Sequence, residues 1–367
     1  MNKLCLIGNY APHYRTNIFM LMDKELKCDF FTGDKLGDIK KMDHSLLENF
    51  KKEVQNKVFI KLPLYWQKGV ISLFKEDYTH YILTGEPFCV STWLILILNK
   101  LVFHKKIYFW THGWYGKESN IKKILKKIFF GLANGIFLYG DYTKQLMIKE
   151  GFEEKKLHVI YNSLAYDEQI EIRKNIVKSD IFKDHFKNDY YNLIFVGRLT
   201  KVKQLDMLLQ ALSELNKQEQ KYNLTFIGAG EMKTELSDLA QKLDVENNVW
   251  FYGATYNEQE LSKLIYNADL CVSPGNVGLT AMHAMTYGCP VITHNNFAYQ
   301  MPEFEAIKKG KTGDFFEQNN INSLIETTQN WFQLRLDREI IRQNCYKIID
   351  SKYNPYYQLS VIKSCLK

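Results

Sequence analysis

Short apolar runs, each closed by a turn residue and followed by a helix-period stretch, recur along most of this chain. Residues 4–8 form the first run. It ends in the turn-rich Gly8-Asn9-Tyr10-Ala11-Pro12-His13-Tyr14-Arg15, and a helical pattern follows over residues 17–26. Further buried-strand patterns lie at 30–32, 81–83, 107–111, 135–139 and 158–161, with helical stretches between several of them. Strand–helix alternation at this spacing predicts a parallel α/β sheet. Residues 166–190 break the rhythm. They are rich in Asp, Glu, Lys and Asn without a strong apolar period, and they read as an interdomain linker with room for a short helix. The pattern then restarts. Strands are expected at 192–196, 223–227, 249–252, 269–273 and 291–293, with helices at 204–215, 232–243, 258–268 and 281–287. The second half is thus a second doubly wound unit.

Length and composition agree with this division. A chain of 367 residues holds two to three domains at roughly 150 residues each, and two is the simpler reading. With 46% hydrophobic and 24% charged residues each half can bury a core, which excludes a disordered chain or a disulfide mini-scaffold. Seven scattered cysteines without a C-x-x-C pair argue against zinc and thioredoxin-like chemistry, and fit small buried hydrophobes in a reducing compartment. The N-terminus is too soon interrupted for a signal peptide. The apolar run at 93–98 is far below the ~18 residues of a spanning helix. A cytoplasmic protein, soluble or attached to a membrane surface, is expected. The net charge is +7, unevenly distributed. Residues 1–165 carry 25 Lys and Arg against 16 Asp and Glu, a net +9, and the remainder is −2. The first half therefore faces something anionic: nucleic acid, lipid or a phosphorylated substrate.

Four elements carry candidate chemistry, each at the C-terminal end of an expected strand, where open α/β sheets bind ligands. In Gly197-Arg198-Leu199-Thr200-Lys201-Val202-Lys203 a glycine turns the chain into a helix. Arg198 and Lys203 bracket that turn as a plausible diphosphate clamp beside free backbone N–H groups. Gly228-Ala229-Gly230 leaves the backbone bare for a ligand, although a lone G-x-G is also an ordinary tight turn. Tyr252-Gly253 ends a strand where a flat base could lie. In Gly275-Asn276-Val277-Gly278-Leu279 exposed N–H groups could bind phosphate or sugar oxygens, with His283 about one turn into the next helix.

Together these elements resemble the group 1 (family 4) glycosyltransferases, a retaining type of GT-B fold. The likeness runs from Leu193 to Phe316. It includes Gly197-Arg198-Leu199 with a lysine five after the arginine, Ile227-Gly228-Ala229-Gly230-Glu231, Phe251-Tyr252-Gly253, Ala284-Met285-Thr286-Tyr287-Gly288-Cys289-Pro290-Val291-Ile292 and Gly310-Lys311-Thr312-Gly313. The resemblance implies two Rossmann-like doubly wound parallel-sheet domains facing a cleft. The acceptor-side domain would be 1–165 with a returning helix at 353–367. After a linker at 166–190, the nucleotide-sugar domain would be 191–352. Gly197, Gly228, Gly230, Tyr252, Gly275, Asn276, Val277, Gly278, Leu279 and His283 would surround the donor. Arg198 and Lys203 would hold its diphosphate, so no metal cofactor is expected. One departure matters. The family's two glutamates fall at Gly275 and His283, so the sugar-facing acid is missing and His283 is left to donate to a ribose hydroxyl.

In the first half, His112 of Trp110-Thr111-His112-Gly113-Trp114 stands where the family often has a histidine near the donor sugar. His13, Arg15 and Glu86 are acceptor-side candidates on strand-end loops. Residues 122–130 place four lysines on one helix face and apolar residues on the other. This is either a solvated face over a core or a basic helix for an anionic membrane surface. No nucleic-acid module is recognisable. The expected function is a retaining transfer of a sugar from a nucleotide-diphosphate donor to a hydroxyl of a glycan or lipid-linked acceptor. The alternative is a non-catalytic nucleotide-sugar-binding or scaffolding subunit of a glycan-assembly complex.

Overall fold

Strand β1 (Leu4–Gly8) is apolar and buried along its whole length, as befits a parallel strand covered on both faces. In a computed structural model, which describes residues 3–35, 39–59 and 62–366, it lies in the interior of an all-parallel sheet. The other strands there are β2 (Asp29–Gly33), β3 (Phe50–Val54), β6 (His80–Thr84), β7 (Lys106–Thr111), β8 (Gly135–Leu138) and β9 (Leu157–Val159), in the order β3-β2-β1-β6-β7-β8-β9. A small antiparallel pair, β4 (Asn56–Val58) and β5 (Tyr65–Gln67), stands beside it. Helices α1 (Thr16–Leu26), α2 (Val90–Leu98), α3 (Asn120–Gly131) and α4 (Asp141–Lys149) belong to this part of the chain. One face of the sheet buries Ile7, Tyr81, Phe109, Ile95 and Phe129, and the other buries Leu6, Phe30, Trp110, Ile18 and Phe19.

The chain divides into two units, residues 1–165 with 352–367, and residues 166–351. The second unit holds β10 (Tyr191–Val196), β11 (Tyr222–Ile227), β12 (Val249–Gly253), β13 (Leu270–Ser273), β14 (Val291–His294) and β15 (Gly313–Phe316), all parallel in the order β12-β11-β10-β13-β14-β15. Its helices are α5 (Tyr166–Asn175), α6 (Ile181–Phe186), α7 (Leu205–Asn216), α8 (Lys233–Lys242), α9 (Glu258–Asn267), α10 (Leu279–Thr286), α11 (Ile321–Gln333) and α12 (Arg338–Lys352). Helix α13 (Pro355–Cys365) returns to the first unit, where Leu359 and Ile362 join the core of Ile18, Phe19 and Met22.

Two expectations change. Residues 166–190, expected as an interdomain linker with room for a short helix, belong to the second unit: α5 and α6 fold there and pack on α9, with Ile172 and Phe182 buried. Helix α3 does not turn its aliphatic side chains inward. Phe129 and Phe130 seat it, while Ile121, Ile124, Leu125 and Ile128 are exposed. Its lysines explain this orientation. Lys126 reaches back to Glu118 at 2.6 Å, and Lys123 and Lys127 both reach Glu150.

Each sheet reverses direction once, between β1 and β6 and between β10 and β13. A crevice opens outside the carboxyl ends of strands at such reversals. The loops at those two places carry most of the candidate residues.

Candidate functional site

In the second unit the loops after β10, β11 and β13 pack backbone on backbone. The Gly197 N–H donates to Ile227 O and the Leu199 N–H to Ala229 O, both at 2.9 Å. A Cβ on Gly230 would lie 2.2 Å from Leu199 O, and one on Gly275 would lie 2.1 Å from Val202 O. These glycines, with Gly228 packed on Gly197 O, serve the approach of one loop to another, not that of a ligand to a bare backbone. No side chain fits at position 275 in this arrangement, so the absence of an acid there is a consequence of packing.

Lys203 ties two loops together. Its Nζ donates to Asn276 O at 2.5 Å and to Asn276 Oδ1 at 2.8 Å, and its own carbonyl accepts from the Gly275 N–H at 3.0 Å. It is therefore a cation held in place by the loop it clasps. Burial, reinforced by the positive charge of Arg198 and opposed by Glu303, lowers its pKa to about 8. Arg198 is exposed and makes no ion pair among the described residues. The two cations are thus near neighbours, one fixed and one free. Beside them, Gly278 takes φ +54° and starts α10, whose N-terminus has no side-chain cap before Leu279. The buried Val277 N–H is already taken by Gln300 Oε1 at 2.8 Å, so the expected run of free N–H groups over 276–279 is shorter by one.

His283 is engaged through one ring nitrogen. Its Nε2 lies 2.8 Å from Glu258 Oε1, the same oxygen that accepts from Tyr287 OH at 2.6 Å and Gln169 Nε2 at 2.9 Å. Burial raises the Glu258 carboxyl, but His283 and these hydrogen bonds outweigh it and hold the pKa at about 2. Tyr252 is also tied elsewhere, its OH donating to Glu260 Oε2 at 3.2 Å. Sequence reasoning missed Glu258, Gln300 and Glu303, the last a carboxylate only 2% exposed. The hydrogen-bond partners of Glu258 and Gln300 lie 6 to 89 residues away, and no local spacing marks them.

In the first unit, four strand ends bring a second group together. Arg15 lies over the Trp110 ring at 5.0 Å and hydrogen-bonds through Nη2 to Tyr139 OH. The Tyr139 ring is 4.7 Å from that of His112. Arg15 Nε, Trp110 Nε1 and His112 Nδ1 are buried without a hydrogen-bond partner among the described residues. Burial, with the charges of Arg15 and Lys126, lowers the His112 pKa to about 4, so its imidazole is neutral at pH 7. Glu86 stands at the neighbouring strand end, where its Oε2 accepts from Asn9 Nδ2 at 3.1 Å and Tyr65 OH at 2.8 Å. His13 is not part of this group. It is exposed on the outer side of the loop, against Lys40 O.

Three polar atoms enclosed without partners around a guanidinium, and a free guanidinium beside a clasped ammonium, are both arrangements that favour an anion or a hydroxyl-rich ligand. Among the described residues no group of three or more His, Cys, Asp or Glu side chains could hold a metal ion. No helix among them is long and apolar enough to cross a membrane.

Residues 177–348 match the family described as glycosyl transferases group 1. A 41.2 kDa protein in the cps region of Klebsiella pneumoniae is 27% identical over 245 residues, covering 65% of this chain and 58% of that relative. The chain spans little more than half the length of the first curated relatives it matches. Among solved structures, the apo form of the lipopolysaccharide outer core galactosyltransferase WaaB superposes with a TM-score of 0.73 at 17% identity, covering 99% of both chains. HepE of Anabaena in complex with UDP gives 0.72 at 14% identity, again over 99% of both. At these identities the likeness is one of fold, the GT-B arrangement of two Rossmann-like units.

Proposed function

From the match of residues 177–348 to the group 1 glycosyl transferases, we propose that this chain is a retaining glycosyltransferase. It moves a sugar from a nucleotide-diphosphate donor to a hydroxyl of a cell-surface glycan or lipid-linked acceptor. The observation that carries the reading is the pair Arg198 and Lys203 at the reversal of the second sheet, beside the uncapped start of α10. Two positive groups beside a helix N-terminus stabilise a leaving diphosphate where its charge develops, and they need no metal to do so. Arg198 offers a fork for phosphate oxygens and Lys203 a fixed point charge. The Glu258 carboxylate, held by His283, takes the place of an acid at position 283. Its second oxygen makes no hydrogen bond among the described residues and can accept from a ribose hydroxyl. In the first unit the neutral His112 imidazole offers a hydrogen bond to a sugar hydroxyl, and Arg15 counters negative charge.

Similarity to a protein of a cps region, to a lipopolysaccharide outer core galactosyltransferase and to a protein with bound UDP supports a surface-glycan role and a uridine nucleotide. The test is a panel of labelled nucleotide sugars with the full chain, read as transfer and as donor hydrolysis. Arg198→Ala and Lys203→Ala should each lower turnover at least a hundredfold, about 3 kcal/mol of transition-state stabilisation. Near-normal rates in both would sink the clamp. Nucleotide binding with no turnover of any donor would favour a non-catalytic subunit.

A further inference from the structure

Two neighbouring helices of the first unit show solvent an aliphatic face. Helix α2 runs on through a π-helical turn over Asn99–Phe103. It buries Ile95, Leu96 and Asn99 and exposes Leu94, Ile97, Leu101 and Val102. Helix α3 is seated by Phe129 and Phe130 and exposes Ile121, Ile124, Leu125 and Ile128. The exposure is not marginal: Ile121 is 81% and Leu101 69% accessible. The two helices follow successive parallel strands and pack into the same core, where the Trp93 ring meets that of Phe129 at 5.0 Å. A surface helix ordinarily turns its apolar stripe inward. Here two adjacent helices turn one outward, giving an apolar patch of a kind that marks an interaction surface.

The charge around the patch says what covers it. Between residues 87 and 140 there are eight lysines and one acid, Glu118, which is enclosed under Lys126. Lys123 and Lys127 flank the α3 aliphatics and share a single carboxylate, Glu150. Lys100 and Lys122 are exposed and make no ion pair among the described residues. We infer that the outward face of α2 and α3 is a docking surface for an anionic lipid bilayer. The aliphatic side chains enter the headgroup–acyl boundary and the lysines meet lipid phosphates. A second copy of the chain suits the patch poorly, because a self-complementary contact would set lysines against lysines. The inference goes beyond the sugar-transfer reading and does not depend on it, since docking needs no substrate.

The experiment is co-sedimentation of the full chain with extruded vesicles, in the absence of nucleotide. One set is phosphatidylcholine alone and the other contains about one third phosphatidylglycerol. Binding to the anionic vesicles is expected at about 0.1 M salt, with at least a tenfold loss on neutral vesicles or on raising salt to about 0.5 M. The double variant Ile97→Ser, Ile124→Ser should bind at least tenfold less while keeping the wild-type melting temperature, because both side chains already face water. Failure of the unmodified chain to bind anionic vesicles overturns the inference, as does undiminished binding by the double variant. A wild-type dimer that the same variant dissociates would assign the patch to a second copy and overturn it too.

Discussion

Lys203 shows how a residue's type can be legible in the sequence while its surroundings are not. Its spacing from Arg198 is visible in the sequence, but its clasp on Asn276 spans 73 residues and is not. The clasp has a consequence for pH. With its pKa lowered to about 8, Lys203 loses its charge over a range in which an ordinary lysine keeps it. An anion bound beside it favours the charged form and raises that pKa. Affinity for UDP should therefore be flat below pH 8 and fall above it, by up to about tenfold per pH unit until the pKa of the bound state is passed. Titration calorimetry between pH 7 and 9.5 measures this, and Lys203→Gln should bind weakly without the slope. A pH-independent affinity in the unmodified protein would mean that Lys203 does not face the diphosphate. The glycines teach a related lesson. Gly230 and Gly275 are conspicuous in the sequence, yet a bare strand end looks the same whether a ligand or another loop approaches it. Only the 2.2 and 2.1 Å approaches that a Cβ would make to the neighbouring loop distinguish the two.

At the scale of elements, most of the legible strands were those buried on both faces, β12 being the exception with every residue half-buried. Strands β10 and β13 carry short apolar runs closed by a glycine or a serine, and their bounds lie close to those expected. Strand β3 reads Phe-Lys-Lys-Glu-Val at the sheet edge, with its lysines in solvent, so neither an apolar run nor a clean alternation marks it. Helices α5 and α6 were hidden for a similar reason. Each buries only one or two side chains and is held by contacts with α9 instead of a strong amphipathic stripe. Glu258 is the centre of that contact, joining α9 to Gln169 on α5 and to His283 and Tyr287 at α10. Because its folded pKa of about 2 is below the ordinary 4.5, its contribution to stability is complete above pH 4.5 and is lost as pH falls toward 2. Glu258→Gln should destabilise the protein by on the order of 2–3 kcal/mol at neutral pH. In urea unfolding that difference should shrink steadily below pH 4.5. A difference that stays constant down to pH 2 would show that the carboxylate's charge is not what holds the three helices.

For the whole molecule, the course of the chain decides what can be read from a linear sequence. The first unit is not contiguous: its sheet is complete by residue 159, but its second core closes only when α13 comes back. The helix near 353–367, and where it lands, were expected from the family resemblance alone. The packing now gives a physical reason for the return. Ile18, Phe19 and Met22 on α1 face the layer that holds Leu359 and Ile362, and the Tyr108 OH donates to Cys365 O at 2.7 Å. Gln358 joins the same region, donating to Tyr161 O at 3.0 Å and accepting from Ser163 at 2.6 Å. Without α13 that face of the first sheet would lie open along α1. Ile362 is wholly buried, so Ile362→Ala removes three carbons from a filled core at a cost of about 2–5 kcal/mol. Hydrogen exchange should show it in β1 and β7, far away in sequence, with protection falling roughly thirtyfold or more, the equivalent of about 2 kcal/mol. If exchange quickens only within α13 itself, the helix frays independently, and the first unit holds its core without the end of the chain.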